Sequence, residues 1–483
     1  MTSDSYDAVV VGAGPNGLAA AVELARAGYS TLVVEAEDHV GGGASTLELT
    51  LPGFRHDLCS AIHPLAAASP FFRRLGLERH GLELVQPAAP LAHPLEDGDA
   101  VMLERSVEAT AGGLGADGDA YRRLFAPAVA SVAEVLPSLL RRPRLPRNPL
   151  SLAALAARAV RPAAKLAEAQ FQGERARALF AGLAGHSNMS LRSPVTAAFG
   201  LGLGVLGHAV GWPVARTGSK AIADALASSL AELGGEVVTG RRVQSLDELP
   251  RARAYAFDVT PRQLVAIAGY RLPPRYRRAL AGYRYGPGAF KVDWALDGPI
   301  PWTASECLRA GTVHLGGSLA EITRSEHDVA QGRHPDRPFV LLAQQSIFDE
   351  TRAPAGRHVA WAYCHVPNGS SADMTERIEA QIERFAPGFR DRVLARSETG
   401  PAQLERRNAN YVGGDFAAGR NDVRQLIFRP AARLVPWSTP APGIFICSAS
   451  TPPGAGVHGM CGYLAARAMI RSLRRGRLAS EIA

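Results

Sequence analysis

The sequence predicts an α/β protein: a Rossmann-type domain assembled from separated pieces of the chain, with an inserted α+β domain. Three observations carry this prediction. The N-terminus reads strand, glycine turn, helix, strand, and the C-terminus reads strand, glycine-rich loop, helix. At 483 residues the chain also exceeds what one hydrophobic core organises, so more than one domain is expected.

The N-terminal element is "YDAVVVGAGPNGLAAAVELARAGYSTLVVEAEDHVGGG". Val9, Val10 and Val11 form a β-branched apolar run that suits a buried parallel strand. Gly12, Ala13, Gly14, Pro15, Asn16 and Gly17 follow, and then a helical pattern stops at Gly28. Gly12 permits the tight turn, Gly14 lets backbone approach a pyrophosphate, and Gly17 lets helix and strand pack closely. The helix start offers free amides and partial positive charge to phosphate oxygens. The second strand, "STLVVE", ends in Glu35, where a carboxylate accepts the ribose hydroxyls of an adenosine moiety; Ala36 follows it. This register predicts dinucleotide binding. A second glycine cluster, Gly41, Gly42, Gly43, Ala44 and Ser45, allows close backbone approach along a longer ligand.

The C-terminal element, "PGIFICSASTPPGAGVHGMCGYLAARAMI", has an apolar strand at 444–447 and an Ala-rich helix from about Gly459. The proline and glycine between them exclude regular structure and bring amides, including those near Gly456 and Val457, to a helix start.

Composition narrows the class. With 47% hydrophobic and 20% charged residues, the chain reads as globular rather than disordered or fibrous. Five scattered cysteines without a CxxC offer no disulfide framework, zinc site or redox dithiol, so no metal and a reducing, cytoplasmic setting are expected. The start carries acids where a secretory signal carries cations. Net charge is +8, with seven cations and no anion between Glu134 and Glu168. That stretch lacks interleaved aromatics, which argues against nucleic acid. Its segment 139–165 suits peripheral contact with an anionic membrane surface, or a solvated loop. The charge-free run 193–215, with five glycines, reads as a buried interior segment rather than a membrane span. Segments 110–120 and 324–338 read as surface loops.

Together these motifs strongly resemble FAD-dependent oxidoreductases of the phytoene desaturase-like family, within the amine oxidase superfamily. The likeness extends to "GWPVARTGSKAIADALASSLAELGGEVVTGRRVQSL" (211–246) and to "YVGGDFAAG" with "RQLIFRP" (411–430). It implies a discontinuous GR2-like FAD domain from 1–70, 212–270 and 425–483, with 71–211 and 271–424 forming the substrate domain. It also implies that backbone near Val243 holds the adenine side, and that Ser60, Ile62 and His63 lie near the isoalloxazine. Two departures stand out. The arginine usual to the second glycine motif is absent, with Gly43 and Ala44 in its region. No acid follows the last strand at Ser448 or Ala449, so contacts there rest on backbone and Ser450. No cysteine stands where amine oxidases attach FAD covalently, which implies a non-covalent flavin.

Lys291 is one of three lysines among 53 cations, in "FKVDWAL". Apolar residues alternate there with Ala289, Lys291, Asp293 and Ala295, which predicts a strand with Lys291 and Asp293 on one face. One reading is an ion pair on a solvated face. The resemblance offers another: in amine oxidases a substrate-domain lysine reaches a water held against flavin N5, where charge tunes the cofactor. The aromatic ring that commonly frames an amine substrate is missing near Gly459, which favours an apolar substrate. His458, beside it, is either an acid/base near the flavin or a hydrogen-bonding residue.

The expected activity is hydride removal from a bulky, apolar substrate. Isomerisation or saturation of a polyene, and a non-catalytic lipid- or prenyl-binding role, are the rival readings. The glycine-rich run 200–211 is expected to line the substrate passage. Oxygen or a quinone is the expected electron acceptor.

Overall fold

A computed structural model describes residues 5–132 and 149–482. Its strands, numbered along the chain, fall into two large sheets and two small pairs. The first sheet has the order β16 (Ile444–Ile446), β10 (Arg251–Phe257), β1 (Ser5–Val11), β2 (Thr31–Val34) and β9 (Glu236–Val238), all parallel. Alternate residues of β1 point to opposite faces, and both faces are covered, which is why the run is apolar throughout. Ala8 and Val10 pack under the helices Pro15–Arg26, Lys220–Glu232 and Met460–Ile482. Val9 and Val11 face the other layer, with the helices Pro261–Ala268 and Pro274–Ala281. Each of these buried valines contributes about 1.5–3 kcal/mol relative to exposure.

The second sheet has the order β15 (Val393–Thr399), β11 (Gly288–Leu296), β14 (His358–Val366), β13 (Val340–Ala343), β12 (Ala310–Leu315), β6 (Ala89–Pro94) and β7 (Ala100–Leu103). All its pairings are antiparallel except β12 with β6. On β11, Val292, Trp294 and Leu296 enter an apolar cluster with the helix Thr375–Phe385. The alternate residues Ala289, Lys291 and Asp293 occupy the opposite face, and all nine positions of the strand are buried. The solvated-face reading of Lys291 is therefore corrected. The pairs β3 (Thr46–Glu48) with β4 (Arg55–Asp57), and β5 (Leu84–Val85) with β8 (Val214–Ala215), lie between the sheets in sequence.

The run 193–215 forms the helix Thr196–Ala209. Gly200, Gly204 and Gly207 share one face of it, where added Cβ atoms would stand 3.0, 2.5 and 2.6 Å from Phe180, Phe125 and Leu103. These glycines therefore serve close helix packing, while Leu203 of the same run borders the large cavity. The segment 110–120, expected as a loop, is largely helical, in Val107–Gly112, a short 3-10 turn at Gly115–Asp117 and the start of Gly118–Ala130. Of 324–338, residues 324–330 complete the helix Leu319–Ala330, where Val329 is buried, and 331–338 form the expected loop. Residues 139–148 of the basic stretch lie outside the described residues. No helix among the described residues is long and apolar enough to cross a membrane.

Candidate functional site

The two glycine turns meet. Strand β1 ends at Val11, Gly12 turns with φ of 101°, and the helix Pro15–Arg26 begins. A Cβ on Gly17 would lie 1.9 Å from the Gly12 carbonyl oxygen, so helix and turn pack as closely as glycine allows. Gly14 is the helix N-cap; Pro15 has no amide N–H and the Gly17 amide is taken by Asp258, which leaves the Asn16 amide of the first turn for a ligand. At the other end β16 continues the sheet beside β10, and the turn 448–457 leads into the last helix. A Cβ on Gly462 would stand 1.8 Å from the Asn16 carbonyl oxygen, so the last helix rests on the first.

A cavity of about 710 Å³ opens where they meet, within the range of roughly 300–1,000 Å³ typical of small-molecule sites. Gly12, Gly14, Pro15 and Asn16 line it together with Ser448, Ala449, Gly454, Ala455, Gly456 and Val457. The second glycine cluster is tied in by the Gly41 amide, which donates to the Ala13 carbonyl at 3.0 Å. Gly42, with φ of 54°, would place a Cβ 3.3 Å from Gly14 Cα. Away from these turns the walls are Phe199, Leu203, Trp212, Leu341, Trp361 and Tyr363.

Residues 10–75 match the NAD(P)-binding Rossmann-like domain family. Mouse pyridine nucleotide-disulfide oxidoreductase domain-containing protein 2 is 28% identical over 97% of this chain and 94% of its own. Phytoene dehydrogenase of Streptomyces griseus is 27% identical over 84% of this chain and 79% of its own. A putrescine oxidase variant shares the fold, with a TM-score of 0.62, 16% identity, and 98% and 99% of the two chains covered. The chain is thus similar over most of its length to oxidoreductases that include a phytoene dehydrogenase, and it shares the fold of an amine oxidase.

Within this fold, most residues singled out in the sequence border one space. Glu35, Ala36, Gly43, Ala44, Ser45, Ser60, Ile62, His63, Val243 and Lys291 all line the cavity with the turns. Glu35 accepts the Ala13 amide at 2.6 Å on one oxygen and the Glu37 amide at 3.0 Å on the other. Each oxygen keeps a second lone pair for a hydroxyl. The Ser45 hydroxyl donates to the Gly42 carbonyl at 2.9 Å and holds the cluster's shape. His63 Nε2 lies 2.9 Å from the Ser219 hydroxyl, and burial pushes this imidazole down to about 4.

Lys291 is 4% exposed. Its Nζ donates to Asp293, whose other oxygen stands 3.5 Å from His56 Nδ1, and it lies 5.5 Å from the centre of the Trp361 ring. Burial pushes Asp293 up to about 6, against the pull of Lys291. The ion pair and the cavity-facing position therefore coexist.

Three expected residues lie outside the lining. Gly17 donates its amide to Asp258 at 2.8 Å, behind the turn. The Ser450 hydroxyl donates to the Ala418 carbonyl at 3.1 Å. His458 is buried, its Nδ1 accepts the Met460 amide at 3.0 Å, and its carbonyl accepts the Ser69 hydroxyl at 2.7 Å. Burial pushes His458 down to about 4. It stands at the start of the last helix as a neutral acceptor, away from the cavity walls.

Sequence reasoning missed three groups. Asp258 follows β10 in "AFDVTP", and its carboxylate would lie 2.9 Å from a Cβ on Gly14. Burial, with Glu35 adding and the Gly17 amide opposing, pushes Asp258 up to about 7. The Tyr411 hydroxyl would lie 2.1 Å from a Cβ on Gly43, so the tyrosine fills the space beside the turn that lacks the usual arginine. Arg429 lines the cavity from within "LIFRP". An acid directly after an apolar strand was the available signal for Asp258; Tyr411 and Arg429 lie in the segment 411–430 that carried the resemblance, but nothing there assigned either a role.

The donor set fits a dinucleotide. The helix N-terminus at Gly14 faces the cavity with the Asn16 amide, Asn16 Oδ1 is buried without a protein partner, and side chains larger than glycine would fill the cradle at Gly14 and Gly42.

Proposed function

We propose that the chain is an FAD-dependent oxidoreductase that holds its flavin non-covalently and removes a hydride, with loss of a proton, from a bulky, largely apolar substrate. The observation that supports it best is that both terminal glycine turns line one cavity whose far walls are apolar and aromatic. When bound, the flavin supplies a two-electron acceptor at N5.

The chain's own residues have distinct tasks. The start of the helix Pro15–Arg26, with the Asn16 amide and the positive end of the helix dipole, binds the pyrophosphate, and Glu35 accepts from the ribose. Residues Gly454, Ala455, Gly456 and Val457 present backbone to the other end of the cofactor. Phe199, Leu203, Trp212 and Tyr363 exclude water from the donor carbon and orient it. Lys291, held by Asp293, places a fixed cation in the cavity wall, where it orients a water or polar group. Oxygen or a quinone takes the electrons onward: of the two other GxGxxG strings, 202–207 lies inside the helix Thr196–Ala209 and 454–459 begins in the wall of the same cavity, so neither offers NAD(P)H a separate site.

The test is optical. The purified protein should be yellow, and acid or heat should release all of its flavin into the supernatant as FAD. Anaerobic mixing with a substrate should bleach the flavin band. A colourless protein that cannot be reconstituted with FAD overturns the reading.

A further inference from the structure

Arg429 is 2% exposed, yet it forms no ion pair among the described residues. Its Nε donates to the Gln425 carbonyl at 3.2 Å, one Nη to the Ala449 carbonyl at 3.4 Å, and the other to Asn421 Oδ1 at 3.2 Å. All three acceptors are neutral and the bonds are long. A guanidinium carries five N–H groups, so two remain. Asp415 feels its charge through space, but that carboxylate is already held by the amides of Gly286, Ala417 and Gly419. A buried cation without a counter-charge is costly, and leaving it so is disfavoured unless a ligand supplies the anion.

Its position indicates which ligand. Arg429 joins the C-terminal turn, through Ala449, to the chamber wall, through Asn421, whose amide donates to the Ser187 carbonyl at 3.2 Å. A Cβ on Gly454 would stand 2.8 Å from its Nη1, so the glycine leaves the guanidinium room. The carboxylates lining the cavity are Glu35, Glu37 and Asp258, all beside the N-terminal turn or the end of β2. Away from those turns the lining cations are Lys291, which Asp293 neutralises, and Arg429, which has no paired acid among the described residues.

We propose that Arg429 binds the carboxylate of the substrate, so that the substrate is an apolar carboxylic acid rather than an amine or a hydrocarbon. The planar fork presents two N–H donors in the geometry a carboxylate accepts. An ammonium would meet the unpaired guanidinium of Arg429, since Asp293 is already bound to Lys291. This inference rests on the reading of the cavity as a substrate chamber.

The test titrates benzoate, benzamide and benzylamine into the purified full-length protein by calorimetry, which needs no flavin signal. Benzoate should bind at least about tenfold more tightly than benzamide, and benzylamine should not bind. Arg429→Met should abolish the preference and Arg429→Lys should restore part of it. The wild-type comparison stands even if the methionine variant fails to fold. Benzoate binding no tighter than benzamide overturns the proposal, and so does an Arg429→Met variant that lowers the flavin potential while keeping the benzoate preference. Benzoate preference in a protein that never takes up FAD would leave the proposal supported and the cofactor reading refuted.

Discussion

Gly462 and Asn16 stand in backbone contact, 1.8 Å separating a Cβ at 462 from the Asn16 carbonyl oxygen. This contact between the last helix and the first brings motifs from opposite ends of the chain to one cavity. Alanine at 462 must push the helices apart. Gly462→Ala should cost about 1–3 kcal/mol or more and weaken FAD retention, read by thermal melting and by flavin content after gel filtration.

Asp258 gives the site a pH dependence of definite sign. Its folded value, about 7, lies above its ordinary 3.8, so the folded chain holds a proton that the unfolded chain has lost between those limits. Stability of the cofactor-free protein should therefore fall as pH rises from about 4 to about 7, and Asp258→Asn should flatten that slope. A pyrophosphate beside Asp258 favours the neutral acid, so FAD should bind more tightly at pH 6 than at pH 8. Equilibrium titrations at the two pH values check both effects.

The buried pair of Lys291 and Asp293 should behave as a unit. Lys291→Met leaves a buried carboxylate without its cation, and should cost about 3–5 kcal/mol at pH 8. The cost should shrink below pH 6, where Asp293 takes up a proton. Adding Asp293→Asn should recover much of the loss, which urea unfolding at pH 5 and pH 8 would show.

His458 should be silent in the pH–activity profile. As a neutral acceptor for the Met460 amide it does a cap's work, so His458→Ala should cost about 1 kcal/mol. Any inflection near pH 6–7 should persist in the variant.

What could be read from the sequence was local. Gly12, Gly14, Gly17 and Glu35 declare themselves because one strand–turn–helix–strand unit fixes their roles within 24 residues of contiguous chain. The alternation around Lys291 gave its strand and its shared face with Asp293, but not whether that face was wet. Burial there depends on β14 and β15, which pair with β11 from far along the chain. The glycines at 200, 204 and 207 were misread for a similar reason: composition showed small residues, and only packing shows that Phe180, Phe125 and Leu103 fill the space. Arg429 was invisible because its significance lies in a missing counter-charge, which no single sequence displays.

The central claim is that both ends of the chain grip one FAD. The most direct measurement is FAD affinity of the apoprotein for wild type, Gly14→Val and Gly456→Val, each checked for folding by circular dichroism. A Cβ would reach 2.9 Å from Asp258 at position 14 and 2.3 Å from Leu65 at position 456, and both glycines line the cavity. One FAD per wild-type chain, with either substitution weakening binding at least about tenfold, is the predicted result. Wild-type affinity in a folded Gly456→Val variant would contradict it.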